Sequence, residues 1–253
     1  MEDHLDGVTG PVYVEGAQAG QAVAVTIHSL KLTTPGCVVL SHCQALSPAD
    51  WWHEEYRAVN LDTRDGRIRI RDGWSVPARP LLGCLAVAPA VETVLSRHEG
   101  GYGGNMDVAA VTAGATVTLP VQVDGALLYF GDAKAAMADG EVSCAPEAGT
   151  RLEVSAQPVP RPRSMGGAIR IADAEQLTTV VSGPSLADAA RQAFKELKAW
   201  LEDAWRLDRE EAAIIMGIAG HCGIGQVSNL LHTATCSIRL GLLPPRPEPG
   251  ALS

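Results

Sequence analysis

The chain has 253 residues, enough to bury a real core as one large domain or two small ones. A hydrophobic fraction of 46% and a charged fraction of 19% are ordinary for a soluble globular protein. With 20 basic against 29 acidic residues the formal net charge is -9, which argues against nucleic acid or an anionic membrane as a partner.

The first two-thirds read as strands. Val12–Val14 precede a turn over 15–21, and Ala22–Leu32 alternate with β-branched residues. Val38–Leu40, Arg67–Arg71 and Gly83–Val87 continue the short-strand pattern. The stretch 108–123 carries Val and Thr at period two, broken by Gly114-Ala115. Asp124-Gly125 then reads as a hairpin turn into 126–130. Further strands are expected over 141–154 and 168–171, with Pro158 to Pro162 as a stiff surface connection. Repeated short strands at this spacing predict a sandwich or barrel.

The last third differs. Ser185 can cap an amphipathic helix running to about Trp205, with apolar residues at 186, 190, 193/194, 197, 200/201 and 204. Asp208 can cap a second helix over 211–217. A closing strand is expected within 224–241, and the four prolines after Leu243 predict a frayed tail over 244–253. The whole is a mainly β chain with C-terminal helices, one domain over 1–243. Six cysteines, at 37, 43, 84, 144, 222 and 236, form no Cys-x-x-Cys pair and suit reduced thiols. Met1–His4 lacks an apolar leader core, and runs such as 212–219 are too short to span a bilayer, so a cytoplasmic location is expected.

Candidate chemistry concentrates between Gly101 and Val142. Asp132 follows a strand and a glycine, and Asp139-Gly140-Glu141 opens the next expected strand. Residues two apart share a strand face, so Asp139 and Glu141 would point into one pocket; ordinary Asp-Gly turn chemistry is the plain alternative. Gly103 and Gly104 are flexible enough to let backbone approach a ligand, with Asn105 and Asp107 supplying an amide and a carboxylate. Lys134, amid the acidic loops, is a charge-neutralising partner or, if desolvated, a general base. His98 lies just before the glycine loop and is preferred over His42, His53 and His221, each of which taken singly is more often structural. His53-Glu54-Glu55 lacks the rest of a zincin motif, and no serine or cysteine has the setting of a nucleophile.

Several dispersed motifs, in order, resemble the acetamidase/formamidase family. The stretch 9–21 is similar to its GP-x-x-V-x-GA-x-PGD opening segment, and Gly83 to Ala90 to its G-x-x-G-x-APA strand. Gly104-Asn105-Met106-Asp107 falls in its GGNMD loop, followed by Leu119-Pro120-Val121 at its LPV. Residues 131–141 resemble GD-x-HA-x-QGDGE, and 187–201 with 224–227 its C-terminal part. The resemblance implies a β-rich, barrel-like or sandwich fold with C-terminal helices, self-association into a homodimer or larger homo-oligomer, and hydrolysis of a small amide to a carboxylate and ammonia. It implies a divalent metal, zinc or calcium, on Asp132, Asp139 and Glu141, and a site lined also by Asn105 and Asp107. Lys134 stands where the family has histidine, and Met137 and Ala138 where it has glutamine and glycine. The chain as read begins within the opening segment, so the family's N-terminal histidines are not expected.

The leading expectation is metal-assisted water attack on an amide carbonyl, with Glu141 or Asp139 as base and Asn105 and the glycine-loop amides stabilising the oxyanion. The alternative keeps the scaffold for metal-independent acid/base chemistry through Lys134, as a cyclase, isomerase or lyase of secondary metabolism. A non-catalytic binding homologue ranks third.

Overall fold

A computed structural model describes residues 7–40 and 57–247, so His42, Cys43 and His53 lie outside the described residues. In chain order its elements are β1 (Val8–Val12), β2 (Ala22–Leu32), β3 (Gly36–Leu40), β4 (Arg57–Leu61), β5 (Arg67–Arg71), β6 (Trp74–Pro77), β7 (Leu81–Ala86), β8 (Glu99–Gly100), β9 (Gly103–Asn105), β10 (Thr116–Pro120), β11 (Leu128–Lys134), β12 (Thr150–Val159), β13 (Ile169–Ala172), β14 (Gln176–Gly183), α1 (Leu186–Trp205), α2 (Arg209–Ala219), β15 (His221–Gln226) and β16 (His232–Arg239). One sheet runs β1-β11-β7-β9-β8 and a larger one β12-β2-β10-β13-β14-β16-β15. Leu85 and Leu128 of the first share one core with Val25, Ile27, Val117, Ile171 and Val180 of the second. Of the barrel and sandwich, the sheets form the sandwich.

The longest strand shows how sequence sets this packing. Val23, Val25 and Ile27 of β2 point inward at period two, but the next buried residue is Leu30. A bulge resolves the phase change: β12 pairs Glu153 with Ser29 and Val154 with Ile27, leaving His28 as the extra residue. One inserted residue turns the inward face from odd to even positions.

Both helix starts are chemically marked. Ser185 accepts from Asp188 N at 3.3 Å, and Asp208 with Glu211 forms a reciprocal capping box at α2. On the inward face of α1, Ala193, Leu197, Leu201 and Trp205 pack with Leu177, Cys236 and Ile238 of β14 and β16. Thr179 Oγ1 ties β14 to the helix by donating to Ala193 O at 2.7 Å. No described helix is long and apolar enough to cross a membrane.

Four local expectations are corrected. Asp124-Gly125 does not close a hairpin, because β10 pairs with β2 and β13 while β11 pairs with β1 and β7. The turn instead crosses between the sheets, with left-handed backbone at Ala126 and Leu127 and Gly125 N bonded to Ala17 O. The strand expected over 141–154 is β12, which begins at Thr150 and runs through Pro158, so the first two residues of the supposed Pro158–Pro162 connection are strand. The single closing strand is the β15–β16 hairpin. The tail after Leu243 is anchored at its start: Trp205 Nε1 donates to Pro244 O, and the Arg246 guanidinium lies over the Trp205 ring.

Candidate active site

β7 reads Leu-Leu-Gly-Cys-Leu-Ala and is buried along its whole length, between β11 and β9. Gly83 interrupts it for a reason. A Cβ there would run into the carboxylates of Asp132 and Asp107, so the missing side chain makes room for both. Asp132 lies on β11 opposite Gly83, and Asp107 N donates to Gly83 O at 3.1 Å. Two residues beyond Asp132, on the same strand face, is Lys134. Glu141 arrives from a turn that Gly140 N fastens to β15 through Ile224 O, at 2.7 Å.

These side chains converge on one ammonium. Lys134 is only 2% exposed, and its Nζ lies 2.5 Å from Asp107 Oδ1, 3.2 Å from Asp132 Oδ2 and in contact with Glu141 Oε1. Met137 Sδ, 4.0 Å from Nζ, supplies an apolar neighbour. The side chains of Asp107, Asp132 and Glu141 are 0%, 2% and 12% exposed, so Glu141 is the most open of the three. All three acids have left-handed backbone, with φ of 51°, 49° and 40°. Such conformations are costly for residues with a Cβ and persist where surrounding structure imposes them.

The electrostatics follow from burial. Loss of water pushes the Asp107 carboxyl well above the carboxylate range; the Lys134 ammonium opposes this, and the Glu141 and Asp132 charges add to it. Burial pushes Lys134 down, but the three carboxylates more than compensate and hold its ammonium above the usual value. The lysine is thus a fixed cation rather than a free base.

A second layer comes from the turn joining β15 to β16. Gln226 is fully buried; its Oε1 accepts from Ser228 N and Asn229 N, and its Nε2 donates to Leu231 O. That closed turn presents Ser228 Oγ to Glu141 Oε2 at 3.2 Å. It also presents Asn229 Nδ2 to Asp107 Oδ2 at 3.3 Å and to Asn105 O at 3.1 Å. Glu99 grips the same turn from β8, its Oε1 accepting from Leu231 N at 2.7 Å. Burial raises Glu99 to about 7, with the Asp107 charge adding and the Leu231 and Asn229 groups opposing.

The expected site residues divide. Asp107, Asp132, Lys134 and Glu141 meet; Asp139 does not, being exposed in a turn. No strand forms over 139–141, so the shared-face argument fails for lack of a strand. The proposed metal donors Asp132, Asp139 and Glu141 therefore do not fit an ion: the two that converge do so on Lys134 Nζ, and no three His, Cys, Asp or Glu among the described residues are grouped to hold a metal. Gly103 and Gly104 are buried in β9 rather than lining an open loop. Their positive φ lets the hairpin backbone approach Leu85 O and His98 O. Asn105 touches the site through its carbonyl, while its Oδ1 is buried without a hydrogen bond. His98 lines a cavity beside Glu99, and His221 and Cys222 lie on β15, Cys222 facing Cys236. Glu99 is the neighbour of His98 just before the glycine loop, whereas Gln226, Ser228 and Asn229 carry no local sequence signal of the site. Gln226 fell within a family-like stretch, but nothing local shows that the turn after it reaches residues 87 and 122 positions away.

The family model described as Acetamidase/Formamidase family matches residues 81–157, which contain the whole cluster. The crystal structure of an acetamidase from Bacillus halodurans is similar with a TM-score of 0.85 and 30% identity, over 92% of this chain and 78% of that one. A predicted acetamidase/formamidase from Thermoanaerobacter tengcongensis gives a TM-score of 0.84 and 28% identity, over 94% and 81%. An acetamidase from Yersinia enterocolitica, at 24% identity, shares the fold with a TM-score of 0.86 over 96% and 76%. No curated protein matches significantly.

Proposed function

Because the chain belongs to the acetamidase/formamidase family, we propose that it hydrolyses a small amide at the Lys134 cluster. The observation that carries the reading is the convergence of Asp107, Asp132 and Glu141 on one buried ammonium. Glu141, the most open of the three, is the general base: it takes a proton from water as the water oxygen bonds to the carbonyl carbon. Lys134, held in place by Asp107 and Asp132, keeps Glu141 oriented and offsets the negative charge that develops. Ser228 and Asn229, at the edge of the cluster, hold Glu141 and Asp107 in place by donating from Ser228 Oγ and Asn229 Nδ2. Collapse of the tetrahedral species breaks the C–N bond. The proton on Glu141 passes to the departing nitrogen, leaving a carboxylic acid and ammonia. The ammonium supplies the fixed positive charge, so no step runs through a bound ion.

The test is ammonia release from a panel of short amides by chelator-treated protein. Glu141→Gln should lower kcat about 10²- to 10⁴-fold; unchanged turnover in that variant overturns the reading. Activity lost on chelation and restored by a divalent ion would overturn the role given to Lys134. The cyclase, isomerase or lyase alternative rests on the same lysine at a histidine position, with Met137 against it. Turnover in ¹⁸O-water separates the two, since hydrolysis alone places solvent oxygen in the product.

A further inference from the structure

β15 is the outermost strand of the larger sheet, with β16 its neighbour there. In that antiparallel pairing Cys222 stands directly opposite Cys236, and their Sγ atoms are in contact at 3.2 Å. Both are free thiols, and burial divides them. Cys236 is closed to solvent in the core shared with Leu197, Leu201 and Ile238, whereas Cys222 is exposed. Neither sulfur belongs to the Lys134 cluster.

Directly opposed residues of an antiparallel pair have Cα atoms about 4.5–5.5 Å apart, within the roughly 4.4–6.8 Å that a disulfide spans. The backbone is therefore already in place for a bond, and side-chain rotation completes it. We propose that Cys222 and Cys236 form a site of reversible oxidation, closing to a cross-strand disulfide by exchange with a low-molecular-weight disulfide.

The exposed Cys222 Sγ is the sulfur that an oxidant in solution reaches. As a thiolate it attacks one sulfur of the small disulfide. That S–S bond breaks, one small thiolate leaves and takes up a proton, and a mixed disulfide remains on Cys222. Cys236 Sγ, its proton lost to solvent, then attacks the Cys222 sulfur. The mixed bond breaks, and the second small thiolate leaves and is protonated in turn. Two protein thiols have given up two electrons, and one small disulfide has become two thiols. Burial, with the Cys222 thiol adding to it, holds the Cys236 thiol above its ordinary value, so closure is the slow step and quickens as pH rises. The bridge fastens the strand that ends at Gln226, and so the strand leading into the turn that presents Ser228 to Glu141 and Asn229 to Asp107. With one sulfur at the surface, a thiol reductant reopens it.

The experiment incubates the reduced full chain with oxidised glutathione at mildly alkaline pH, blocks remaining thiols and digests with trypsin without reduction. Cleavage after Arg209 and Arg239 releases 210–239, which contains both cysteines and no other. The expected result is a loss of about 2 Da from that peptide, the mass of two thiol hydrogens, reversed by dithiothreitol. Cys222→Ser, at an exposed position, should leave the peptide mass unaltered by oxidation. Cys236→Ala should instead stop at a lasting glutathione adduct on Cys222; should that core variant fail to fold, the exposed one still decides the matter. Overturning results are a wild-type peptide that keeps both thiols, one that ends as a glutathione adduct, and a bridge that maps to another pair of cysteines in its place.

Discussion

Two places in this molecule bury charge, and they do so in opposite ways. Glu196, on the inward side of α1, accepts from Gly166 N, Gly167 N and Gln192 Nε2, so both oxygens are satisfied by neutral donors. Its basic neighbour Arg170 is stacked on Trp200 and bonded to Ser164. Around Lys134, three carboxylates compete for one ammonium, each acid has left-handed backbone, and burial keeps Asp107 raised. Helix and loop hold Glu196 without strain. The Lys134 cluster persists only because Gly83 makes room and two turns press acids inward. Surplus like charge with a disfavoured backbone marks a site; a fully satisfied carboxylate marks a joint.

The comparison breaks hardest at Lys134. Lys134→Met keeps the apolar volume and removes the one cation, leaving acids uncompensated in the interior. Stability should fall by about 3–5 kcal/mol, the usual cost of orphaning one side of a buried pair, as read by urea unfolding at neutral pH. Acidification should recover part of the loss, because protonated carboxyls no longer repel. A variant as stable as wild type would mean that the ammonium does not hold the cluster together.

Glu99 lies between the two extremes, half satisfied, and pH sharpens its position. Its folded value is about 7 against an ordinary 4.5. Below 4.5 both folded and unfolded chains hold the proton, and the group is neutral toward stability. Between 4.5 and 7 the unfolded chain releases it while the folded one keeps it, so stability falls as pH rises, by about 1.4 kcal/mol per unit at most. The whole window amounts to about 3 kcal/mol for this group. Asp107, raised by its own burial, contributes a fall of the same sign that persists in the variant. Glu99→Gln should therefore flatten the profile between pH 4.5 and 7 relative to wild type. Parallel profiles by thermal or urea unfolding would show that Glu99 is ionised throughout.

The same contrast explains what the sequence could disclose. Acidic and basic groups of the cluster were visible because Asp107, Asp132, Lys134 and Glu141 lie within one stretch whose glycines mark turns. Ser185 and Asp208 were visible because a cap is a local device, fixed by the three residues that follow it. Asp139 misled because the period-two argument presumes a strand, and Gly140 is tied to β15 by a contact no local pattern encodes. Asp124-Gly125 misled for a related reason: the dipeptide specifies a sharp turn but not whether the next strand joins the same sheet. Ser228 and Asn229 were invisible, since their role depends on how the β15–β16 turn reaches across to the other sheet.

The smallest effect is expected at the joint, and there the comparison is most discriminating. Glu196→Gln preserves shape and the half of the side chain that still accepts, but turns one oxygen into an amide that faces backbone N–H groups. Gly166 N reaches Oε2 at 2.9 Å, while Gly167 N and Gln192 Nε2 reach Oε1 at 3.1 and 2.9 Å, so either orientation of the amide leaves at least one donor unpaired. The expected loss is about 1–2 kcal/mol, the cost of an unsatisfied buried group, and kcat of the folded variant toward an amide should stay within about twofold of wild type because no element of the Lys134 cluster moves. Unfolding curves and steady-state rates on the same preparation separate the two quantities. Were kcat to fall as far in Glu196→Gln as in Glu141→Gln, the 166–167 loop would belong to the reacting site, and the distinction between a satisfied joint and an overcharged site would no longer hold.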